Sequence, residues 1–151
     1  MHDPAAKEAL GIGLVTLVVR DYDDAIAWFT RCLRFVVIED TDLGAGKRWV
    51  RVAFPGSGVA LLLAKASGDE QATAIGNQTG GRVGFFLTVP DFNEMFAHMQ
   101  HCGVVFEGTV RDEPYGKVIV FQDLYGNRWD LLGMNSRRSE TELTRVRSIR
   151  I

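Results

Sequence analysis

The sequence predicts an α+β fold in which two tandem βαβββ units form a mixed sheet. Three observations predict it: an internal repeat, strands in which apolar and polar residues alternate, and a helix-start signature in each repeat. At an offset of 70 residues, Asp21 falls on Asp91 and Cys32 on Cys102 without a gap, and Gly56 falls on Gly126. Self-similarity of this length indicates a duplicated supersecondary unit.

Each repeat is expected to begin with a strand and a helix. Alternating apolar residues predict strands over 14–19 and 84–89. Asp21 and Asp91 then resemble the start of a capping box, because an acidic residue follows each of them three positions later. The helix after each aspartate keeps its apolar residues on one face. These residues are Tyr22, Ile26, Phe29 and Leu33 in the first repeat, and Phe92, Met95, Phe96 and Met99 in the second.

Three more strands complete each repeat, separated by turns rich in Gly and Pro. We expect these strands at about 36–40, 48–54 and 59–64, and again at 104–110, 118–122 and 128–132. The predicted organisation is therefore one domain over 1–134, followed by a polar C-terminal tail over 135–151. Within the domain, the repeat units cover about 11–64 and 81–134, and 65–80 is a linker.

Composition excludes several classes of protein. The chain has 151 residues, 46% of them hydrophobic and 24% charged, which is ordinary for one globular domain. A net charge of −2 gives no reason to expect a nucleic-acid or membrane partner. The apolar runs are too short to span a bilayer, and the first ten residues lack a signal-peptide core. Two cysteines do not make a disulfide framework, so we expect a cytoplasmic protein.

Strand alternation also sorts side chains between a helix-packed side and a concave side. The concave side is mostly apolar and aromatic with few charges, which is typical of a small-molecule site. The alternative is a closed core in which Trp49 and Phe86 only fill space. The candidate ligand-binding residues are Thr16, Trp49, Arg51, Leu62, Phe86, Tyr115, Phe121 and Asp130. The same parity directs Trp129 toward the helix side.

The segment 112–117 is the most distinctive polar stretch. Pro114 stiffens it and Gly116 permits an unusual backbone angle, so Glu113 and Tyr115 are candidates for the rim of the site. Glu113 is also a candidate general base. The alternative interpretation is a turn whose residues serve backbone geometry alone.

Three motifs resemble the vicinal oxygen chelate superfamily, which includes glyoxalases, bleomycin resistance proteins and extradiol dioxygenases. They are V-x-D-Y-D-D-A-I-A-W-F from Val19, G-G-R-V-G-F-F-L from Gly80 and D-L-Y-G-N-R-W-D-L-L from Asp123. The resemblance covers about residues 11–133. It implies a glyoxalase-like fold with a cup-shaped sheet around a cavity, and a homodimer.

The resemblance also implies where a metal ion would be bound. The superfamily's four ligand positions map to Leu14, Ala60, Gly84 and Asp130, and only Asp130 carries a donor. A catalytic divalent ion normally has three or more protein ligands, so no metal cofactor is expected. His98 lies on the helix face opposite the apolar residues, and we expect it to be solvated.

Three functions follow as hypotheses. The first is a metal-free protein that binds a small, partly aromatic or hydrophobic ligand, similar to the bleomycin resistance branch. The second is a superfamily enzyme of lyase, isomerase or dioxygenase type with a reduced or relocated divalent metal site. In that enzyme Asp130 or Glu113 would be the catalytic base, and Arg51 would stabilise negative charge. The third is an interaction domain with a filled concavity.

Overall fold

The computed structural model describes residues 10–134, so the predicted tail over 135–151 lies outside the described residues. The chain divides between Ile75 and Gly76 into two compact units. Each unit contains one four-stranded mixed sheet with a helix packed against it. The predicted α+β fold of two βαβββ units is confirmed.

In the first unit, the first strand of the sheet lies at one edge, beside the last strand. Its elements are β1 (Leu14–Val19), α1 (Tyr22–Cys32), β2 (Val36–Gly44), β3 (Lys47–Ala53), β4 (Ala60–Lys65) and α2 (Gly68–Ala74). The strand order is β1-β4-β3-β2. Strands β1 and β4 are parallel, and the other neighbours are antiparallel.

The second unit repeats this topology. Its elements are β5 (Val83–Val89), α3 (Phe92–His101), β6 (Val105–Glu113), β7 (Gly116–Gln122) and β8 (Arg128–Met134), with strand order β5-β8-β7-β6. Strands β5 and β8 are parallel, with an irregularity between Val83 and Phe85.

The predicted helix starts are confirmed by their capping hydrogen bonds. Asp21 accepts a hydrogen bond from the backbone N–H of Asp24 at 2.8 Å, and Asp91 accepts one from that of Glu94 at 3.1 Å. Both aspartates have extended backbone angles, as N-cap residues do. The repeated aspartate therefore ends each first strand and begins each helix.

The strand lengths and the linker differ from the sequence expectation. Strands β2 and β6 run on to Gly44 and Glu113, because each continues into a hairpin with a two-residue turn. Helix α2 occupies part of the predicted linker. It has no buried residue, so it leaves no apolar periodicity in the sequence to indicate a helix.

Most core residues lie on the side of the sheet where strand alternation placed them. In the first unit, Leu17, Val19 and Val52 are fully buried together with Phe29 of α1. In the second unit the helix-facing core is aromatic, and Phe121 stacks on Trp129 with ring centroids 5.6 Å apart. One face of each sheet is thus covered by the helix of its own unit. We call the opposite face the open face, although Val118 and Leu132 on this face of the second unit are buried.

Equivalent residues of the two units are not separated by a constant number of residues, so the prediction of a repeat without gaps is wrong. In the first sheet, one row across the strands consists of Val15, Leu61 and Val52. The equivalent row of the second sheet consists of Phe85, Trp129 and Phe121. The offset is therefore 70 residues at the first strand, 68 at the fourth and 69 at the third. The physical reason is length: α3 has 10 residues against 11 in α1, and the turn before β8 spans 123–127 where that before β4 spans 54–59.

Candidate functional site

The open face of the second unit combines an exposed ring with a carboxyl group. By strand register, Phe86 pairs with Asp130, Asp130 with Val120, and Val120 with Glu107. Phe86 is 63% exposed, although its neighbour Phe85 packs on Trp129 at 4.6 Å between ring centroids. These adjacent residues of β5 thus lie on opposite faces of the sheet, Phe85 on the helix-facing side and Phe86 on the open face.

Asp130 is the polar centre of that row. Its Oδ1 is buried, and no hydrogen-bond donor within residues 10–134 reaches it. Burial raises the pKa of Asp130, and the charges of Arg111 and Arg128 oppose that rise. A buried polar atom without a partner costs free energy in the unliganded protein, and such atoms in native structures call for an explanation.

The two arginines near Asp130 are bound to other carboxylates. Nε of Arg128 donates to Glu107 at 3.0 Å, and this contact lowers the pKa of Glu107. Nη1 of Arg111 lies 3.4 Å from Oε1 of Glu113. Glu113, a candidate base in the sequence, is therefore engaged in an ion pair at the end of β6.

The open face of the first unit carries the other predicted residues. Thr16, Leu62 and Arg51 lie in one row of the ladder. Nε of Arg51 forms an ion pair with Glu39 of β2 at 3.0 Å, and Trp49 remains 36% exposed on the same strand. Glu39 could not be recognised from the sequence, because the partner of Arg51 depends on the register between β2 and β3.

Phe121 lies on the opposite side from the one predicted. It is fully buried and packs between Phe106 and Trp129 on the helix-facing side. The physical reason is the offset of 69 at the third strand, which reverses parity: Phe121 corresponds to buried Val52, whereas the gap-free repeat matched it to Arg51. Tyr115 lies in the turn of the β6–β7 hairpin.

The D-L-Y-G-N-R-W segment has a structural function that the sequence analysis did not identify. Asp123 is buried, and its Oδ1 accepts hydrogen bonds from the backbone N–H groups of Tyr125, Gly126 and Asn127 at 3.0 to 3.1 Å. Its Oδ2 accepts from the Asn127 amide and from Nε1 of Trp129, both at 3.0 Å. Burial raises the pKa of Asp123, and these hydrogen bonds oppose the rise. The turn fixes the start of β8 and hence the placement of Asp130.

The residues present do not fit the superfamily's metal site. The row equivalence makes Leu62, and not Ala60, the counterpart of Asp130. Leu14, Leu62 and Gly84 carry no donor atom in their side chains, so Asp130 alone could coordinate an ion. The described part of the chain contains no group of three or more His, Cys, Asp or Glu placed to hold a metal ion.

His98, expected to be solvated, has a sulfur neighbour. Its Nε2 lies 3.7 Å from Sγ of Cys102, which ends helix α3. The contact joins successive turns of one helix and lies apart from both open faces.

Two shallow grooves lie at the hairpin ends. One, of about 400 Å³, is lined by Asp40, Asp42 and Arg48. The other, of about 420 Å³, lies between the start of α3 and the β6–β7 hairpin. The first is closed to an anion by its own ion pairs, since Arg48 binds Asp23 at 2.8 Å and Asp40 at 2.7 Å. Neither groove contains Phe86 or Asp130.

The helices between residues 10 and 134 were also compared with the length and hydrophobicity that a membrane span requires, and none of them meets both.

The chain belongs to the Glyoxalase/Bleomycin resistance protein/Dioxygenase superfamily, whose family model matches residues 11–131. The superfamily resemblance of the sequence motifs is thereby confirmed.

Individual proteins are also similar to this chain in sequence or in fold. An uncharacterized protein of Shewanella frigidimarina (strain NCIMB 400) is 50% identical over 126 residues, which are 82% of this chain and 93% of that protein. The crystal structure of UcmS2 is similar with a TM-score of 0.70 and 27% identity, covering 81% of this chain and 96% of UcmS2. TnmS3, an antibiotic binding protein from Streptomyces sp. CB03234, has the same fold with a TM-score of 0.65 and 23% identity, covering 89% of this chain and all of TnmS3.

Proposed function

We propose that this chain is a metal-free binding protein for a small, partly aromatic or hydrophobic molecule. The observation that carries the proposal is the pair formed by Phe86 and Asp130: a ring that is 63% exposed lies beside a carboxyl oxygen for which residues 10–134 supply no donor. A large aromatic side chain in a regular strand usually contributes to a core or an interface. A ligand that covers Phe86 accounts for both features at once.

The composition of the open faces supports the same function. Trp49 offers a second exposed ring, and the Arg51–Glu39 ion pair supplies polar groups beside it. Apolar and aromatic surface with a few placed polar groups is typical of small-molecule sites. TnmS3, which shares the fold, is an antibiotic binding protein. We therefore include antibiotics among the ligands that we propose for this chain.

We further propose that the chain acts in the cytoplasm as a homodimer. Edge strand β2 leaves Val36, Val37 and Ile38 between 42% and 47% exposed. An edge with consecutive exposed apolar residues favours a protein contact. Light scattering on the purified chain tests the dimer; a monomer at all concentrations contradicts it.

A catalytic role for Asp130 is the second candidate function. A carboxyl group whose pKa is raised by burial is suited to general acid–base chemistry. In that case Asp130→Asn removes turnover of a compound while the compound still binds. If Asp130→Asn changes affinity and no bound compound is transformed, binding alone is the function.

Calorimetric titration against a broad panel of aromatic antibiotics and metabolites tests the main proposal. We expect at least one ligand whose affinity falls about tenfold or more in Phe86→Ala, because ring stacking contributes to affinity in proportion to contact area. The matched control is Leu124→Ala, an apolar residue 41% exposed in the turn before β8. If no compound binds, or if both variants weaken binding equally, the proposal is wrong. Stoichiometric metal in untagged protein would contradict its metal-free part.

A further inference from the structure

The polar end of the proposed ligand can be inferred from Asp130. Within residues 10–134 no donor satisfies its Oδ1, although the atom is buried. The side chain as a whole is only partly buried, and rotation about the last torsion of an aspartate is broad. The carboxyl group can therefore turn an oxygen toward a molecule on the open face and accept a hydrogen bond that the chain itself does not provide.

The strand ladder determines what lies next to that oxygen. Phe86 pairs directly with Asp130 across parallel strands, and neighbouring strands are about 4.8 Å apart. A ring that lies on Phe86 is therefore one strand away from Asp130, and a polar substituent on that side of the ring can point toward the carboxyl group. On the other side of Asp130 is Val120, an apolar residue.

The charges around Asp130 indicate whether the donor is neutral or cationic. Arg128 is bound to Glu107 and Arg111 to Glu113, so each positive charge near Asp130 already has its own carboxylate. Both guanidinium groups nevertheless act on the Asp130 carboxyl group, and a ligand ammonium group between Phe86 and Val120 would lose part of its hydration. That loss costs more than the transfer of a hydroxyl or a ring N–H.

Building on the ligand-binding function above, we propose that Asp130 accepts a hydrogen bond from a neutral O–H or N–H group on an aromatic ring that lies against Phe86. The ligand class is thus a phenol-like or N–H-bearing aromatic compound. Asp130 selects it over the same ring without the donor.

Matched naphthalene compounds test this selection by NMR titration of the full, isotope-labelled chain. We expect 2-naphthol to shift the amide signals of β5 and β8 and to bind about tenfold or more tightly than 2-methoxynaphthalene, which has the same ring but no donor. In Asp130→Leu the difference should disappear. It should persist in Asp112→Asn, which changes an exposed carboxylate on β6.

The outcomes separate this inference from the proposed function. Equal binding of the two naphthalenes at Phe86 overturns the role of Asp130 and leaves aromatic binding intact. Tighter binding of 2-naphthylmethylammonium than of 2-naphthol overturns the neutral donor. If none of the three compounds shifts the β5 signals, the inference is wrong, and the broad ligand panel decides the proposed function separately. The comparison of compounds on the unmodified chain decides the question even where Asp130→Leu does not fold.

Discussion

Replacement of Asp123 by alanine removes the acceptor that organises the turn before β8. Its two carboxylate oxygens accept five hydrogen bonds, from Tyr125, Gly126, Trp129 and twice from Asn127. The N–H groups of Tyr125 and Gly126 belong to partly exposed residues, so water can replace their acceptor. Asn127 and Trp129 are only 4% and 3% exposed, and their donors stay unsatisfied in the variant.

The expected loss of stability follows from those buried donors. A buried donor without an acceptor costs about 1–3 kcal/mol. Relaxation of the turn recovers part of the cost, so we expect Asp123→Ala to lower the free energy of unfolding by about 2–5 kcal/mol. That is a large fraction of the roughly 5–15 kcal/mol by which domains are stable. Asp123→Asn should cost less, because it keeps one acceptor oxygen.

Urea denaturation followed by circular dichroism measures the loss, provided the slope with urea is unchanged. Asp112→Ala is the control, because Asp112 is an exposed strand aspartate in the same unit and its replacement should stay within about 0.5 kcal/mol. A loss below about 1 kcal/mol in Asp123→Ala would refute the structural role of the motif.

Three further outcomes are expected. Phe121→Ala should lower the free energy of unfolding by about 3–5 kcal/mol, because Phe121 is buried. Phe86→Ala should lower it by under about 0.5 kcal/mol, because Phe86 is exposed. Equal losses of stability in urea denaturation contradict the assignment of faces. Gly133→Ala should destabilise by about 1–3 kcal/mol, because a Cβ added there would clash with Cβ of Phe92. A variant with unchanged melting temperature refutes that contact. Burial raises the pKa of Asp130 above 3.8, so its favourable contribution is present below the unfolded value and is lost as pH rises through the folded value. Asp130→Asn should therefore be more stable than the unmodified chain at pH 7, with a difference that shrinks toward pH 3; a difference independent of pH contradicts the shift.

The sequence could predict the fold because its signals are local. Asp21 and Asp91 cap the helices they were expected to cap, and the alternation in β1 places Leu17 and Val19 in the core. Helix α2 escaped prediction because none of its side chains is buried. Burial produces the periodicity on which such predictions depend.

The candidate site was predictable only in part, because its details depend on register. Thr16, Leu62 and Phe86 lie on open faces, as parity indicated. Phe121 does not, since one residue fewer at the end of α3 reverses the parity of the third strand. The ion pairs of Arg51 and Arg128 join different strands of a ladder, and no local pattern specifies which carboxylate stands opposite.

The differences in length between α1 and α3, and between the turns before β4 and β8, have a consequence for protein design. A symmetric protein built by repeating one half of this chain would be internally consistent, since every row would then match its copy. Transfer of single residues from one half to the other is different. If positions are matched at a constant spacing of 70 residues, a side chain from the open face of β3 is placed in the aromatic core at β7. Residues transferred between the halves therefore have to be matched by strand pairing, because the gap-free alignment of the two repeats matches residues from opposite faces.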